Sequence, residues 1–521
     1  MAVTVGIRRF FREWVSDIRG RKEYRRFRER DDRRRRVRAQ LLAVLALSLT
    51  VAYDVWLAGH LNLDAWWFSI PFLIAELIAL AVFGCFFLVS WYPRYHRPVG
   101  LPVAAEHRVD IFVTACGEPP AMVATTLAAA MAIDYEPKTV YLLDDRSDPR
   151  LEAAAAKAGC RYIARPTHED AKAGNLNYAL ARTTGDLILT LDADQVPNRE
   201  ILKAVVGYFA YPTIGFVQTR QSFAVPRGDP FGNTDPIFYG LMQLGKDTYN
   251  AAFSCGSGVV YRRRALEDVG GFSAWNLVED LHTSLRLHDR QWRSVYHNYP
   301  LSHGQAPRDI WAAYGQRKQW AADSLRIFFW DNPAWRRGLT TVQKVQYLHL
   351  GLVYLYAGFV MPFFFLVPVI SLFTGVFVLS ASVWTYALWR LPSFIVTAFA
   401  YRYQYQAAEE RKSFAQASNE WLGYFPAFIA ATAVAIWHRK RKPAYRVNLK
   451  TPRARSAFSG VVGTLPQWAL ILASLSAAVY GIVSRSGSTD LLVINVLWAM
   501  WTVEKLVWIC RAPFASGRAA A

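Results

Sequence analysis

Six stretches of this 521-residue chain are almost wholly apolar: 41–57, 70–91, 347–373, 382–401, 465–483 and 491–510. A helix needs about 20 such residues to cross a bilayer, so the pattern predicts about six spans. A seventh stretch, 424–437, has only 14 residues. If it crossed, the cluster His438-Arg439-Lys440-Arg441-Lys442 would lie outside, against the tendency of basic flanks to stay in the cytoplasm. It is predicted to lie along the interface. Arg390 falls inside the fourth span, where an arginine is costly unless it faces protein or water. Lining a polar conduit and snorkelling out of a shifted span both satisfy that requirement.

Between about residues 100 and 335 the pattern changes. Short β-branched runs at 109–114, 139–143 and 186–191 alternate with Ala-rich helical patterns at 122–132, 151–158 and 171–182. Continuous apolar runs of that length read as buried parallel strands, and the alternation as a doubly wound βαβ unit. The fold class is therefore an α/β domain with a mostly parallel sheet, inserted in a transmembrane helical bundle. Ligands bind such sheets at the carboxyl ends of the strands. Asp144, Asp145, Asp192 and Asp194 fall at those ends.

Charge changes the picture next. The net charge of +20 raises the question of nucleic acid, but its placement argues against it. Residues 8–38 hold fifteen Arg/Lys against six Asp/Glu, and other basic clusters abut the apolar stretches. Basic residues there set topology and bind anionic lipid. Ile7, Phe10, Phe11, Trp14 and Ile18 recur at helical spacing, as in an interfacial helix; a disordered basic arm fits the same segment. Parity places the 100–335 region and both termini on the cytoplasmic side of the plasma membrane. No cleavable signal peptide is expected, because the first apolar run starts only after forty residues. The five cysteines show no paired spacing, so neither a disulfide framework nor a zinc site is expected.

Within the α/β region, Asp192-Ala193-Asp194 closes an apolar strand. Carboxylates at i and i+2 can hold a hard divalent cation and, through it, a diphosphate; a solvated turn is the plainer reading. Asp280 follows Glu279 at the start of a helical stretch. It suits either a first-turn acid favoured by the helix dipole or a general base. Gln316 and Trp320 share a helix face at i and i+4, as a sugar-stacking indole with a polar neighbour or as ordinary packing. Lys172 opens a helix, where a lysine and a helix N-terminus together favour an anion.

Taken in order, these segments resemble the processive family-2 glycosyltransferases, the bacterial cellulose synthase catalytic subunits above all. Ala171-Lys172-Ala173-Gly174-Asn175-Leu176-Asn177-Tyr178-Ala179-Leu180 looks like the family's donor-site segment. Phe253-Ser254-Cys255-Gly256-Ser257-Gly258 is similar to its FFCGS motif, Val278-Glu279-Asp280 to TED, and Gln316-Arg317-Lys318-Gln319-Trp320 to QxxRW. Tyr445-Arg446-Val447-Asn448-Leu449-Lys450 resembles the gating loop FxVTxK.

The resemblance implies a GT-A-like domain and a role for each matching position. Asp144 and Asp145 would border uridine, and Lys172 would approach the donor diphosphate. Asp192 and Asp194 would hold the donor and Mg²⁺ or Mn²⁺. Cys255, Gly256 and Glu279 would lie on the acceptor side, with Asp280 deprotonating the acceptor hydroxyl. Gln316 would contact the diphosphate, Trp320 would stack under the acceptor sugar, and Lys450 would close over the nucleotide. The motif arginine is Gln319 here, a loss of a charge-assisted hydrogen bond of about 1.5–3 kcal/mol. Arg317, counted with the donor residues, or Lys318 could replace it, although the helical positions of both turn them off the Gln316/Trp320 face. Val278 and Asn448 also depart from the motifs.

The implied activity is processive, inverting polymerisation of a β-linked glucan from UDP-glucose, with extrusion across the membrane. Cellulose, β-1,3 and mixed linkages stay open. A nonprocessive enzyme loading one sugar on a lipid is the alternative, and a degenerate scaffold, motivated by Gln319, a second. Expected partners are the UDP-sugar, the growing polysaccharide, membrane lipids and an accessory secretion subunit. The expected division is a basic leader (1–40), two spans (41–99), the glycosyltransferase domain (100–345), two spans (346–402), an interfacial helix with the gating loop (403–459), and two spans with a short tail (460–521). Eleven residues follow the last span, so a C-terminal PilZ domain is not expected. Two fewer spans precede the catalytic domain than in the cellulose synthase subunit.

Overall fold

The computed structural model of the chain describes residues 35–93, 107–225, 229–276, 278–307, 309–406, 414–439, 457–485 and 487–515. The basic leader up to residue 34 and the gating-loop motif with Lys450 lie outside them.

The three expected strands form as β1 (Val109–Ala115), β2 (Lys138–Asp144) and β4 (Leu187–Asp192). Two of the three helices between them start two residues earlier than the apolar pattern suggests, at Pro120 and Pro149, and the third starts at Ala171 as expected. Proline fits the first helical turn because no N–H is needed there. With β3 (Arg161–Ala164), β5 (Val196–Pro197), β6 (Ile214–Ala224), β7 (Val259–Arg262) and β8 (Arg293–Gln305) they make one sheet, ordered β3-β2-β1-β4-β7-β6-β8-β5. The β3-β2-β1-β4 half is parallel, and β7 enters antiparallel between β4 and β6.

Strand parity explains the layers. Ile111 and Val113 pack with Val123, Leu127 and Leu151 on one face. Phe112 packs with Leu176, Ala179 and Leu266 on the other. Successive side chains of a strand point to opposite faces, so β1 is covered on both sides. Chain order reverses between β1 and its neighbours β2 and β4, which leaves a crevice at their carboxyl ends. The acids at 144–145 and 192–194 end there.

Among the described residues, five helices are long and apolar enough to cross a membrane: Arg35–Ala58, Leu63–Val89, Thr341–Thr374, Leu465–Ser484 and Thr489–Phe514. The expected fourth span forms one helix, Val383–Gln406, less apolar than these because Arg390 and several tyrosines and glutamines interrupt it. A bent pair, Phe414–Gly423 and Phe425–Trp437, passes the same test jointly, with a 49° bend. The segment expected only to lie along the interface is the second arm of that pair. Arg390 pairs with Glu76 of the Leu63–Val89 helix at 3.4 Å, and its guanidinium lies 4.6 Å from the Tyr53 ring centre. It is satisfied inside the bundle and does not snorkel.

Candidate active site

The loop Phe253–Gly258, just before β7, is pinned across the end of β4. Gly258 N–H donates to Thr190 O (2.8 Å), and Asp192 N–H donates to Ser257 Oγ (3.0 Å). Lys172, in the first turn of helix Ala171–Leu180, reaches the same point. Its Nζ donates to Gly256 O at 2.8 Å and pairs with Asp192 Oδ1 at 2.8 Å and Glu279 Oε1 at 3.1 Å. Gly256 has φ +77°, and a Cβ there would stand 3.0 Å from Asp280 Oδ2 and 3.2 Å from Lys172 Nζ. Only glycine lets the backbone pass this close. Gly174 does the same for Arg165, whose guanidinium nitrogen would sit 2.3 Å from an added Cβ.

Lys172, Asp192 and the adjacent pair Glu279-Asp280 thus come together from three segments, across the loop at Gly256. Burial opposes the charge on Lys172, but Asp192, Glu279 and Asp280 outweigh it, so the ammonium titrates well above its ordinary range. Burial first, and the neighbouring Glu279 second, push the Asp280 carboxyl up to about 8, with Lys172 pulling the other way. A base with its value near physiological pH is matched to general-base work. Burial and Asp280 also push the Cys255 thiol up, which keeps it protonated.

Other expected residues take different settings. Asp144 is fully buried, and its carboxylate accepts from Arg146 N (2.9 Å), Asp148 N (2.7 Å) and Tyr162 Oη (2.9 Å). It shapes the turn after β2. Asp145 is paired with Arg165, with Cys116 Sγ and His168 Nδ1 each 3.8 Å away. Asp194 is buried and accepts from Gln305 N at 3.0 Å, whereas Asp192 is partly exposed. Glu279, expected on the acceptor side, is 2% exposed and committed to Lys172. Arg317, counted with the donor residues, is 3% exposed and held by Asp235 Oδ2 (3.0 Å) and Gly232 O (2.5 Å). Its guanidinium stacks on the Trp320 indole, 4.9 Å from the ring centre. At i and i+3 the two side chains adjoin on the helix surface, so the expected separation of Arg317 from Trp320 does not hold. Gln316 is half-buried one turn before Trp320.

The sequence reading missed Glu118, Arg165 and Gln243. Glu118 accepts from Cys116 N at 2.6 Å, and burial together with Asp192 and Asp194 raises its carboxyl. Gln243 Nε2 lies 3.5 Å from Cys255 Sγ. None sits in a repeating motif, so no local signal marked them. Among the described residues no group of three or more His, Cys, Asp or Glu is arranged to hold a metal ion. The acids expected to serve one, Asp192 and Asp194, are two carboxylates two residues apart at the end of β4, the first partly exposed. A magnesium-sized cation is ordinarily bound by one or two carboxylates, with phosphate oxygens and water completing the shell.

A cavity of about 460 Å³ continues from this cluster. Asp280, Cys255 and Trp320 line it on the catalytic side, and Tyr354, Trp421, Glu76, Arg390 and Lys505 within the helical bundle.

Residues 107–322 match the family described as "Glycosyltransferase like family 2", and residues 267–401 match "Cellulose synthase". Among curated relatives, "Cellulose synthase 1 catalytic subunit [UDP-forming]" of Komagataeibacter xylinus is 37% identical over 336 residues, covering 61% of this chain and 45% of that protein. "Cellulose synthase catalytic subunit [UDP-forming]" of Xanthomonas axonopodis pv. citri is 37% identical over 300 residues, covering 54% and 40%. The chain spans less than half the length of these relatives. A solved mannosyltransferase from Pyrobaculum calidifontis, in complex with GDP-Man and Mn²⁺, superposes with a TM-score of 0.50 at 20% identity, over 70% of this chain and 99% of that one. That likeness fixes the GT-A-like fold. Residues 107–322 thus carry a family-2 glycosyltransferase-like domain, and residues 267–401 a stretch similar to cellulose synthases.

Proposed function

We propose that the protein is a processive, inverting β-glycosyltransferase that builds a β-linked glucan from UDP-glucose and passes it through its own helical bundle. The observation that carries this reading is the continuity of one cavity from Asp280 past Trp320 to Glu76 and Arg390 between the spans. An enzyme adding a single sugar has no need of a conduit behind its base. The relatives are UDP-forming cellulose synthase catalytic subunits, which supports the choice of donor.

Asp280, partly buried and with its value raised, takes the proton of the acceptor hydroxyl as that oxygen attacks the anomeric carbon. The bond to the diphosphate breaks on the opposite face, so an α-linked donor gives a β-linked product. Lys172 holds positive charge at the point where the leaving diphosphate gathers negative charge, and fixed charge in a water-poor site stabilises it. Asp192 and Asp194 are the residues that would hold Mg²⁺ or Mn²⁺, which would neutralise the same diphosphate. Trp320, backed by Arg317, offers its indole face to the acceptor sugar at the cavity mouth. The remaining proposals are placement in the plasma membrane, a cytoplasmic catalytic domain and termini, and the domain boundaries given above.

The test is incubation of the purified chain in nanodiscs with radiolabelled UDP-sugars and Mg²⁺ or Mn²⁺. Product length and digestion by linkage-specific glucanases are read out, with Asp280→Asn as control. A high-molecular-weight product, reduced at least about 100-fold in the variant, is expected. Addition of one sugar to lipid would overturn processivity, and absence of UDP release with every donor would overturn the transferase reading.

A further inference from the structure

Asp280 lies in the first turn of helix Glu279–Asp289, and Trp320 lies in helix Ile310–Trp330. Strand β8 separates them in sequence, so no short covalent link fixes one against the other. Polar contacts do. Asp323 Oδ2 accepts from Val278 N at 3.2 Å, and its carbonyl accepts from Asn276 Nδ2 at 3.1 Å. Arg326 donates to Trp275 O at 2.9 Å and Asn276 Oδ1 at 3.1 Å, with its guanidinium 4.5 Å from the Trp275 ring centre.

The last contact reaches furthest. Asp331, the C-cap of the Trp320 helix, has its Oδ2 2.6 Å from His282 Nε2, one half-turn beyond Asp280. The same oxygen pairs with Arg336, whose other terminal nitrogen pairs with Asp289 Oδ2 at 3.0 Å. Asp289 ends the Asp280 helix. One carboxylate therefore ties both ends of the base-bearing helix to the end of the platform helix.

His282 is buried, and its Nδ1 lies 2.5 Å from Ser273 Oγ. That oxygen accepts from Trp275 N at 3.3 Å. The contacts assign the protons: Ser273 O–H donates to Nδ1, and Nε2–H donates to Asp331. The order Ser–His–Asp is that of a hydrolase triad. Ser273 is only 2% exposed and is not among the residues lining the cavity, so it is no nucleophile here.

We propose that Asp331 and His282 are positioning residues that hold the Asp280 carboxylate at a fixed offset from Trp320, so that the acceptor hydroxyl and not water meets the base. This rests on the transferase reading above. Without the brace, water takes the acceptor's place: its oxygen bonds to the anomeric carbon, the bond to UDP breaks, and Asp280 or solvent takes the proton. The products are free sugar and UDP.

The experiment uses the full chain in nanodiscs with radiolabelled UDP-glucose, comparing UDP released with sugar incorporated. Incorporation by His282→Ala and Asp331→Ala is expected to fall roughly 10- to 100-fold, the scale of an ångström of misplacement. Donor KM should stay within about twofold by the same positioning argument. UDP released per sugar incorporated should rise several-fold above the wild-type ratio. Asp331→Asn, whose amide oxygen still accepts from His282, should recover part of the loss. Wild-type coupling in both alanine variants overturns the proposal, as does a parallel fall of incorporation and hydrolysis at unchanged melting temperature. If Asp331→Ala does not fold, His282→Phe keeps the volume without the hydrogen bonds. Hydrogen exchange over 273–283 supplies a readout independent of turnover. Faster exchange there in the variants is expected, and unchanged exchange sinks the brace. Absence of wild-type turnover sinks only the transferase reading.

Discussion

Gly256→Ala perturbs the centre of the site with a single methyl group. The backbone there is left-handed, at φ +77°, which costs an alanine about 1–2 kcal/mol. The new Cβ would stand 3.0 Å from Asp280 Oδ2, 3.2 Å from Lys172 Nζ and 3.5 Å from Glu279 Oε1. Ordinary contact begins at 3.4 Å. The Asp280 carboxylate must therefore retreat by about 0.4 Å, and Lys172 by about half as much, on a scale where 1 Å costs roughly 100-fold. We expect kcat to fall about five- to tenfold on that scale. The backbone strain should lower Tm by about 2–8 °C, at 2–4 °C per kcal/mol for a domain of this size. Initial rates of UDP release and a thermal melt in nanodiscs measure both. An unchanged rate alongside a lowered Tm would refute the claim that Gly256 sets the approach of Asp280 to Lys172. No change in either would refute the local geometry.

Asp280 works as a base only when ionised, and its value is raised, so the rate should fall as pH drops through about 8. Glu279→Gln removes the second cause of that rise and should move the acidic limb of the pH–rate profile to lower pH; a limb that stays put would refute the coupling. Arg317→Met leaves Asp235 without its cation and should destabilise the protein by roughly 3–5 kcal/mol. Arg317→Lys should not restore product length, because a lysine cannot serve Asp235 and Gly232 O while stacking under Trp320; full rescue in a product-length assay would refute this. Chelation with EDTA should abolish UDP release, and Mn²⁺ or Mg²⁺ should restore it. Activity that survives chelation would remove Asp192 and Asp194 from that role.

Much of the fold was legible because it is written locally. The apolar runs at 109–114, 139–143 and 186–191 became β1, β2 and β4, since a strand buried on both faces needs no alternation. The antiparallel strand β7 was not legible. Its four residues, Val259–Arg262, gain their meaning only from β4 and β6 on either side. The segment 424–437 was read alone as too short to span, yet it joins Phe414–Gly423 as one bent unit. A window on one stretch does not register that continuation.

The sequence alone nominated the residues proposed to carry the chemistry. Motif order and residue type marked Lys172, Asp192, Asp280 and Trp320 before any coordinate, because charge and ring chemistry belong to the residue itself. Only the tertiary structure decided what each is free to do. It closed Asp144 within its own turn, committed Glu279 to Lys172, and buried Arg317 beneath Trp320. It also drew Asp331 and His282 into one contact across 49 residues. A side chain's role depends on which partners occupy its hydrogen-bonding positions, and in a folded chain those partners come from segments that share no local pattern.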